Sequence, residues 1–123
     1  MHEYPITKRI VEIAEEYARK NGGEDVRVRR IVLVAGDSAG YVPDTISLYF
    51  DEISRGGICD GAALEIKRVI PKLKCTGCGE LFPRKPFSFA CPHCGADGIP
   101  TEIGREFYME SIEIEDFSTE RKQ

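Results

Sequence analysis

The chain has 123 residues, 41% hydrophobic and 31% charged and without tryptophan, an ordinary globular profile that excludes a disordered or fibrous chain. Seventeen Lys and Arg against 21 Asp and Glu give a formal net charge of −4, which lacks the electrostatic footprint of a nucleic-acid binder. No apolar run approaches the roughly 20 residues of a membrane span, and Met1-His2-Glu3-Tyr4-Pro5 has no basic region leading into an apolar one, so a cytoplasmic protein with reduced or metal-bound cysteines is expected.

Ile6, Ile10, Ile13, Ala14, Tyr17 and Ala18 recur at helical spacing and predict an amphipathic helix over 5–20. Pro5 suits its first turn, Arg19 and Lys20 suit its negative end, and Asn21-Gly22-Gly23 stops it. Residues 26–35 are rich in β-branched side chains and predict a strand. Ile31, Leu33 and Ala35 share one face and Val32 and Val34 the other, so a central or covered position is expected. Arg29-Arg30 breaks the alternation begun by Val26 and Val28 and marks a candidate bulge.

A polar, glycine-containing loop over 36–41 precedes a second helix opened by Pro43-Asp44. Ile46, Tyr49, Phe50 and Ile53 supply its apolar face, and Gly56-Gly57 ends it. A second strand is expected over 64–70, closed by Pro71, and a third over 105–115. In the third, Phe107 and Met109 are expected on one side and Ile112 and Ile114 nearer the other. Between them lies a cysteine segment over 73–99. The expected fold is α+β: a small three-stranded sheet with two helices, interrupted by a zinc-ribbon-like four-cysteine module. Residues 1–72 plus 104–116 form the main domain, 73–103 the inserted module and 117–123 a flexible tail.

Four of the five cysteines, Cys75, Cys78, Cys91 and Cys94, form a C-x2-C-x12-C-x2-C pattern. Two such turns facing each other build a tetrahedral cage of four thiolates, with Zn–S near about 2.3 Å. Gly79 and Gly95 follow the two pairs and let the backbone turn so that N–H groups reach sulfur. The segment has few large apolar residues, and structural zinc contributes roughly 10–16 kcal/mol, so the metal is expected to hold it together. No coordination position is left open, which makes the site structural rather than catalytic; no catalytic residue is nominated, and the chain is not read as an enzyme.

Iron is the alternative metal, because four thiolates suit both and Cys91-Pro92-His93-Cys94-Gly95 resembles a rubredoxin knuckle. The first pair lies closer in sequence to the second than rubredoxin spacing would have it, which counts against that redox reading. A nucleic-acid-binding zinc ribbon is the other alternative, and the acidic balance disfavours it. His93 is read as an exposed residue between ligands, and the lone Cys59 as a small buried hydrophobe or a half-exposed thiol.

His2 is the only other histidine. A solvated terminal side chain is the plain reading. Its position also allows the Met1 amine, the His2 backbone nitrogen and imidazole Nδ1, and the Glu3 amide nitrogen to close fused chelate rings. A square-planar nitrogen set of this kind selects Cu(II) or Ni(II), and its affinity rises with pH because binding releases protons.

Taken in order, Met1-His2-Glu3, a helix, a β-rich run ending in Gly36-Asp37-Ser38-Ala39-Gly40, an aromatic second helix and paired CxxC motifs resemble the HypA/HybF family of nickel-insertion proteins of [NiFe]-hydrogenase maturation. The likeness spans 1–115. It implies a metallochaperone in which a zinc module interrupts a nickel-binding domain. Carried over, the nickel ligands are Met1, His2 and Glu3, and the zinc ligands Cys75, Cys78, Cys91 and Cys94. The implied partners are a nickel-insertion GTPase and the hydrogenase large-subunit precursor, with no nucleic acid or membrane, and the chain acts as a monomer or homodimer. Family members often have Gly-Glu-Leu-Ser-Gly after the first strand; the change here leaves Asp37 and Asp44 read as turn or helix-start residues rather than ligands.

Overall fold

The structure is a computed structural model and describes residues 3–117. Helix α1 runs over Glu3–Asn21. It takes in Pro5 because a first-turn residue needs no intrahelical N–H partner. At the other end the Asn21 side chain donates to the Tyr17 carbonyl and the Gly22 N–H to the Ala18 carbonyl.

The buried face of α1 is Glu3, Thr7, Ile10, Val11, Ala14 and Ala18. This differs from the expected stripe: Tyr17 is exposed and Ile6 and Ile13 are only half-buried. The helix is rotated so that Ala14 and Ala18, too short to hold a partner away, allow close approach. Glu3 and Thr7 are tolerated on this face because their polar atoms are engaged, the Thr7 hydroxyl donating to the Glu3 backbone carbonyl and the Glu3 carboxylate accepting the Val42 N–H.

Strand β1, Val26–Gly36, is the centre of a three-stranded sheet. Helix α2, Pro43–Ile53, is the crossover to β2, Ala63–Val69, which lies parallel to β1 with Ile31 opposite Leu64 and Leu33 opposite Ile66. The chain then leaves this sheet. A second one forms from β3, Lys72–Cys75, flanked antiparallel by β4, Leu81–Pro83, and β5, Gly98–Pro100. It returns as β6, Phe107–Asp116, antiparallel to the other edge of β1.

The bulge expected at Arg29-Arg30 is present: the β1–β6 register shifts between Val28 and Arg30. A second shift lies in β6, where Val32 faces Ser111 and Leu33 faces Met109, leaving Glu110 as the extra residue. This overturns the expected division of β6. Phe107, Met109, Ile112 and Ile114 all pack against the same core, because one inserted residue exchanges the faces of every side chain beyond it.

That core lies between the sheet and the two helices and contains Ile10, Ala14, Val28, Ile31, Leu33, Ile46, Phe50 and Cys59. Cys59 is fully buried, which decides between the two readings in favour of a small apolar core residue. On the opposite face Val32 and Val34 are also buried, alongside Arg30–Glu65 and Lys67–Glu110 ion pairs at 2.7 and 2.8 Å. The second sheet has a separate small core of Leu73, Cys75, Phe82 and Cys91.

Three segments cross tightly where the chain leaves and rejoins the first sheet. Gly104 has φ +104, and a Cβ there would lie 2.6 Å from the Pro71 Cα. A Cβ on Gly36 would lie 2.0 Å from the Gly104 carbonyl oxygen. Only glycine permits this approach, and backbone bonds from Ser38 N–H to the Gly104 carbonyl and from Asp37 N–H to the Val69 carbonyl close it. Among the described residues no helix is long and apolar enough to cross a membrane.

Candidate metal centres

The four cysteines predicted from spacing converge: their Sγ atoms all lie within 4.8 Å of one another. Cys75 Sγ is 3.2 Å from Cys94 Sγ, and Cys78 Sγ is 3.7 Å from Cys91 Sγ, with all four thiols free. A tetrahedral ion with Zn–S of 2.3 Å separates its sulfurs by about 3.8 Å. Cys75 and Cys91 are buried, and Cys78 and Cys94 are exposed.

Both knuckles are built on one scheme. The N–H of Cys75 donates to the Glu80 carbonyl and that of Cys91 to the Ala96 carbonyl. Gly79 and Gly95, at φ +77 and +78, turn back to donate to the Cys75 and Cys91 carbonyls at 3.1 and 2.9 Å. N–H groups from within the turns are aimed at the first sulfur of each pair, Gly77 and Cys78 to Cys75 Sγ and His93 to Cys91 Sγ at 3.3 to 3.4 Å, and the Glu80 N–H serves Cys78. The glycines set the turn, and the backbone inside it supplies the donors that favour thiolate.

The electrostatics fit a cation. The N–H of Cys78, joined by the Cys94 thiol and the Gly77 N–H, lowers the Cys75 thiol to about 6. For Cys78 the Glu80 N–H acts downward, but the partial loss of water around its sulfur and the neighbouring Cys75, Cys91 and Cys94 thiols prevail and push it up to about 12. Without a positive ion the cluster favours one thiolate and resists the next. Four thiolates coexist when a divalent ion neutralises them, so the donor set fits a tetrahedral thiophilic metal held by Cys75, Cys78, Cys91 and Cys94.

His93 stays outside the cage. Its Nε2 lies 3.1 Å from Glu80 Oε2, linking the two knuckles across the solvent side. Spacing alone missed this link, and also the Thr76 hydroxyl and N–H that both donate to the Asp97 carbonyl. Gly77 was missed too: a Cβ there would lie 3.2 Å from Cys94 Sγ. A glycine between paired cysteines is the signal that could have found it.

Met1 and His2 lie outside the described residues. Glu3 is buried, and its Oε2 accepts the Val42 N–H at 2.9 Å. That bond first, and its own backbone N–H second, hold the carboxyl below its ordinary range. Asp37 accepts the Arg68 Nε at 3.0 Å, and Asp44 sits in the first turn of α2. Among the described residues the converging metal-ligand group is the four cysteines.

The fold and site define a small α+β metal-binding protein with a four-cysteine module inserted ahead of the last strand of its sheet. Residues 1–114 match the HypA family, described as hydrogenase/urease nickel incorporation, metallochaperone. The hydrogenase maturation factor HypA of Caldanaerobacter subterraneus subsp. tengcongensis is 37% identical over 116 residues, covering 94% of this chain and 100% of that one. Its counterpart from Geobacter metallireducens is 40% identical over 115 residues with the same coverage. Two solution structures share the fold at 24% identity. One, the Ni metallochaperone HypA from Helicobacter pylori, has a TM-score of 0.57 and covers 90% of this chain and 95% of its own. The other, a HypA protein, has a TM-score of 0.64 over 94% and 97%. The chain belongs to the HypA family; it is a metallochaperone of nickel incorporation in hydrogenase maturation, and not an enzyme.

Proposed function

We propose that this chain binds Ni(II) at its amino terminus, holds zinc in its four-cysteine cage, and passes the nickel to the hydrogenase large-subunit precursor together with a nickel-insertion GTPase in the cytoplasm. The nickel donors are the Met1 amine, the His2 imidazole and backbone nitrogen, and the Glu3 backbone nitrogen. Nickel is the cargo of the unit 1–72 plus 104–116, and zinc the resident ion of 73–103.

One observation supports the amino-terminal site above the others. Glu3 opens α1, and its backbone N–H bonds its own carboxylate rather than a helix carbonyl, a contact within one residue that a nickel ion would replace. Its carboxylate is already engaged by Val42. The residue therefore offers backbone nitrogen rather than side-chain oxygen, which is the donor type that Ni(II) favours in square-planar sites. The two donor sets divide the labour: nitrogen at a chain end suits an ion to be handed on, and enclosed sulfur suits one that stays.

The test is calorimetric titration of nickel into untagged protein and into His2→Ala, with zinc content measured in both. Specific nickel binding is expected to disappear in the variant while zinc is retained. Equal nickel affinity in the two proteins would overturn the assignment.

A further inference from the structure

A cleft of about 390 Å³ lies where the chain passes from the first sheet into β3 of the second. Three cations line it, Lys72, Arg84 and Arg105, over apolar walls that include Pro71, Phe89 and Ile103, and no carboxylate lines it. Among the described residues neither Lys72 nor Arg84 is held in an ion pair, whereas Arg105 pairs with Glu102 at 3.3 Å. The Arg84 guanidinium instead sits 5.7 Å over the Phe89 ring, which orients it without neutralising it. None of the four cage cysteines lines the cleft, so its positive charge does not belong to the metal site. In a chain of net charge −4 this concentration of cations stands apart.

The turn that delivers Phe89 to the cleft is strained. Ser88 N–H donates to the Lys85 carbonyl, with Pro86 and Phe87 at the two central positions. Phe87 has φ +61 and is the non-glycine residue with positive φ among those described. A turn with proline first and a left-handed second residue ordinarily takes glycine or asparagine there. Here it holds a phenyl ring that is fully exposed. The ring stabilises nothing within the fold, and its backbone is costly to hold; such strain persists where the displayed group has a use.

We propose that the cleft and the Phe87 turn form a docking surface for an acidic, apolar-studded peptide segment of a partner protein. Acidic side chains of the partner meet Lys72 and Arg84. Its apolar side chains fill the floor beside Phe89 and pack on Phe87. Charge complementarity chooses this occupant, since the net negative charge of the whole chain repels a long polyanion, while a short acidic segment feels mainly the local cations. The proposal does not depend on nickel at the amino terminus.

The test uses the full-length zinc-loaded protein and a capped hexapeptide of alternating glutamate and leucine, with lysine–leucine and glutamate–serine peptides as controls. The glutamate–leucine peptide is expected to bind saturably with Kd below about 1 mM, shifting the amide resonances of Arg84, Phe89 and Ile103, while both controls bind more weakly. Arg84→Glu is expected to weaken binding about tenfold. Phe87→Gly separates display from structure: it is expected to weaken binding while the thermal midpoint holds or rises, because glycine relieves the positive φ. A lowered midpoint in Phe87→Gly would make the ring structural and overturn the proposal. No saturable binding, indifference to Arg84→Glu, or equal binding of the lysine–leucine peptide would overturn it as well. So would tighter binding of heparin or phosphatidylglycerol vesicles through the same residues, which would make this a polyanion surface.

Discussion

The Glu3 carboxylate accepts the backbone N–H of Val42 at 2.9 Å across 39 positions of sequence. Val42 precedes proline and is extended, with φ −93 and ψ 114, and it is the N-cap of α2 without a side-chain cap of its own. Glu3 thus supplies from α1 the side-chain acceptor that the Val42 N-cap cannot provide, adding to the Asp44 carboxylate in the first turn of α2, and the two helices are joined at their amino-terminal ends. The edge-on contact of Tyr4 with Tyr49, ring centroids 5.2 Å apart, lies one residue along α1.

The Glu3 carboxyl titrates below its ordinary 4.5 in the folded protein. A group depressed in this way stabilises the fold above its unfolded pKa, and the contribution is lost as pH falls through the folded value. Wild type should therefore lose stability below about pH 4.5 more steeply than Glu3→Gln. Urea midpoints at pH 7, 5, 4 and 3 check this, and parallel curves for the two proteins would contradict it.

Cys91→Ser removes one sulfur of the cage and places a hard oxygen against a thiophilic ion. Bound zinc should fall well below stoichiometric. Amide resonances over 73–99 should collapse toward unfolded positions, because the second core consists of little beyond Leu73, Phe82 and the cysteines themselves. Resonances of β1 and α2 should persist, since Ile31, Leu33, Ile46 and Phe50 belong to a different cluster. Atomic absorption together with an amide correlation spectrum reads both.

Burial, with the Glu15 carboxylate adding to it, pushes the Cys59 thiol from an ordinary 9.0 up to about 12. The folded state therefore holds this proton where the unfolded state releases it, and stability drains as pH rises from about 9 toward 12. Cys59→Ala should cost about 1–2 kcal/mol at pH 7 through the cavity it leaves, yet lose less on going from pH 8 to pH 11. In native zinc-loaded protein, iodoacetamide should leave Cys59 unmodified at pH 8, and peptide mass mapping would show it.

Gly104→Ala introduces a methyl group 2.6 Å from the Pro71 Cα at φ +104. Both neighbouring strands are backbone-bonded here, so nothing flexible can yield. A loss of about 2–4 kcal/mol is expected in urea denaturation. Gly40→Ala makes the control: its φ is +91 but nothing lies within 4 Å of the added atom, so only the backbone strain remains and the loss should be smaller.

Deleting Glu110 removes the extra residue of the β6 bulge, leaving Phe107, Met109, Ile112 and Ile114 on one alternating face. The deletion forfeits the half-exposed Lys67–Glu110 pair, so a modest loss of about 1 kcal/mol is expected. Inserting one residue after Ile112 turns Ile114 outward and should be far more damaging. Comparable midpoints for the two variants would refute this reading of the bulge.

The order of the two helices and the three strands of the first sheet was legible because each states its own periodicity, whereas β3, β4 and β5, three or four residues each, are too short to show one within the cysteine segment. The cage was legible because cysteine pairs at C-x2-C spacing have few other uses. What tertiary structure alone decided is which way those elements face. Alternation along β6 mislocates Ile112 and Ile114, since a bulge changes the side of everything beyond Glu110 and leaves no residue type as its mark. The apolar count on α1 mislocates the buried stripe, since Glu3 and Thr7 become acceptable in a core only once Val42 and the helix backbone satisfy them. Local pattern reports what a segment prefers; facing and polar partnership are properties of pairs of segments, and they exist only when the chain has brought those pairs together.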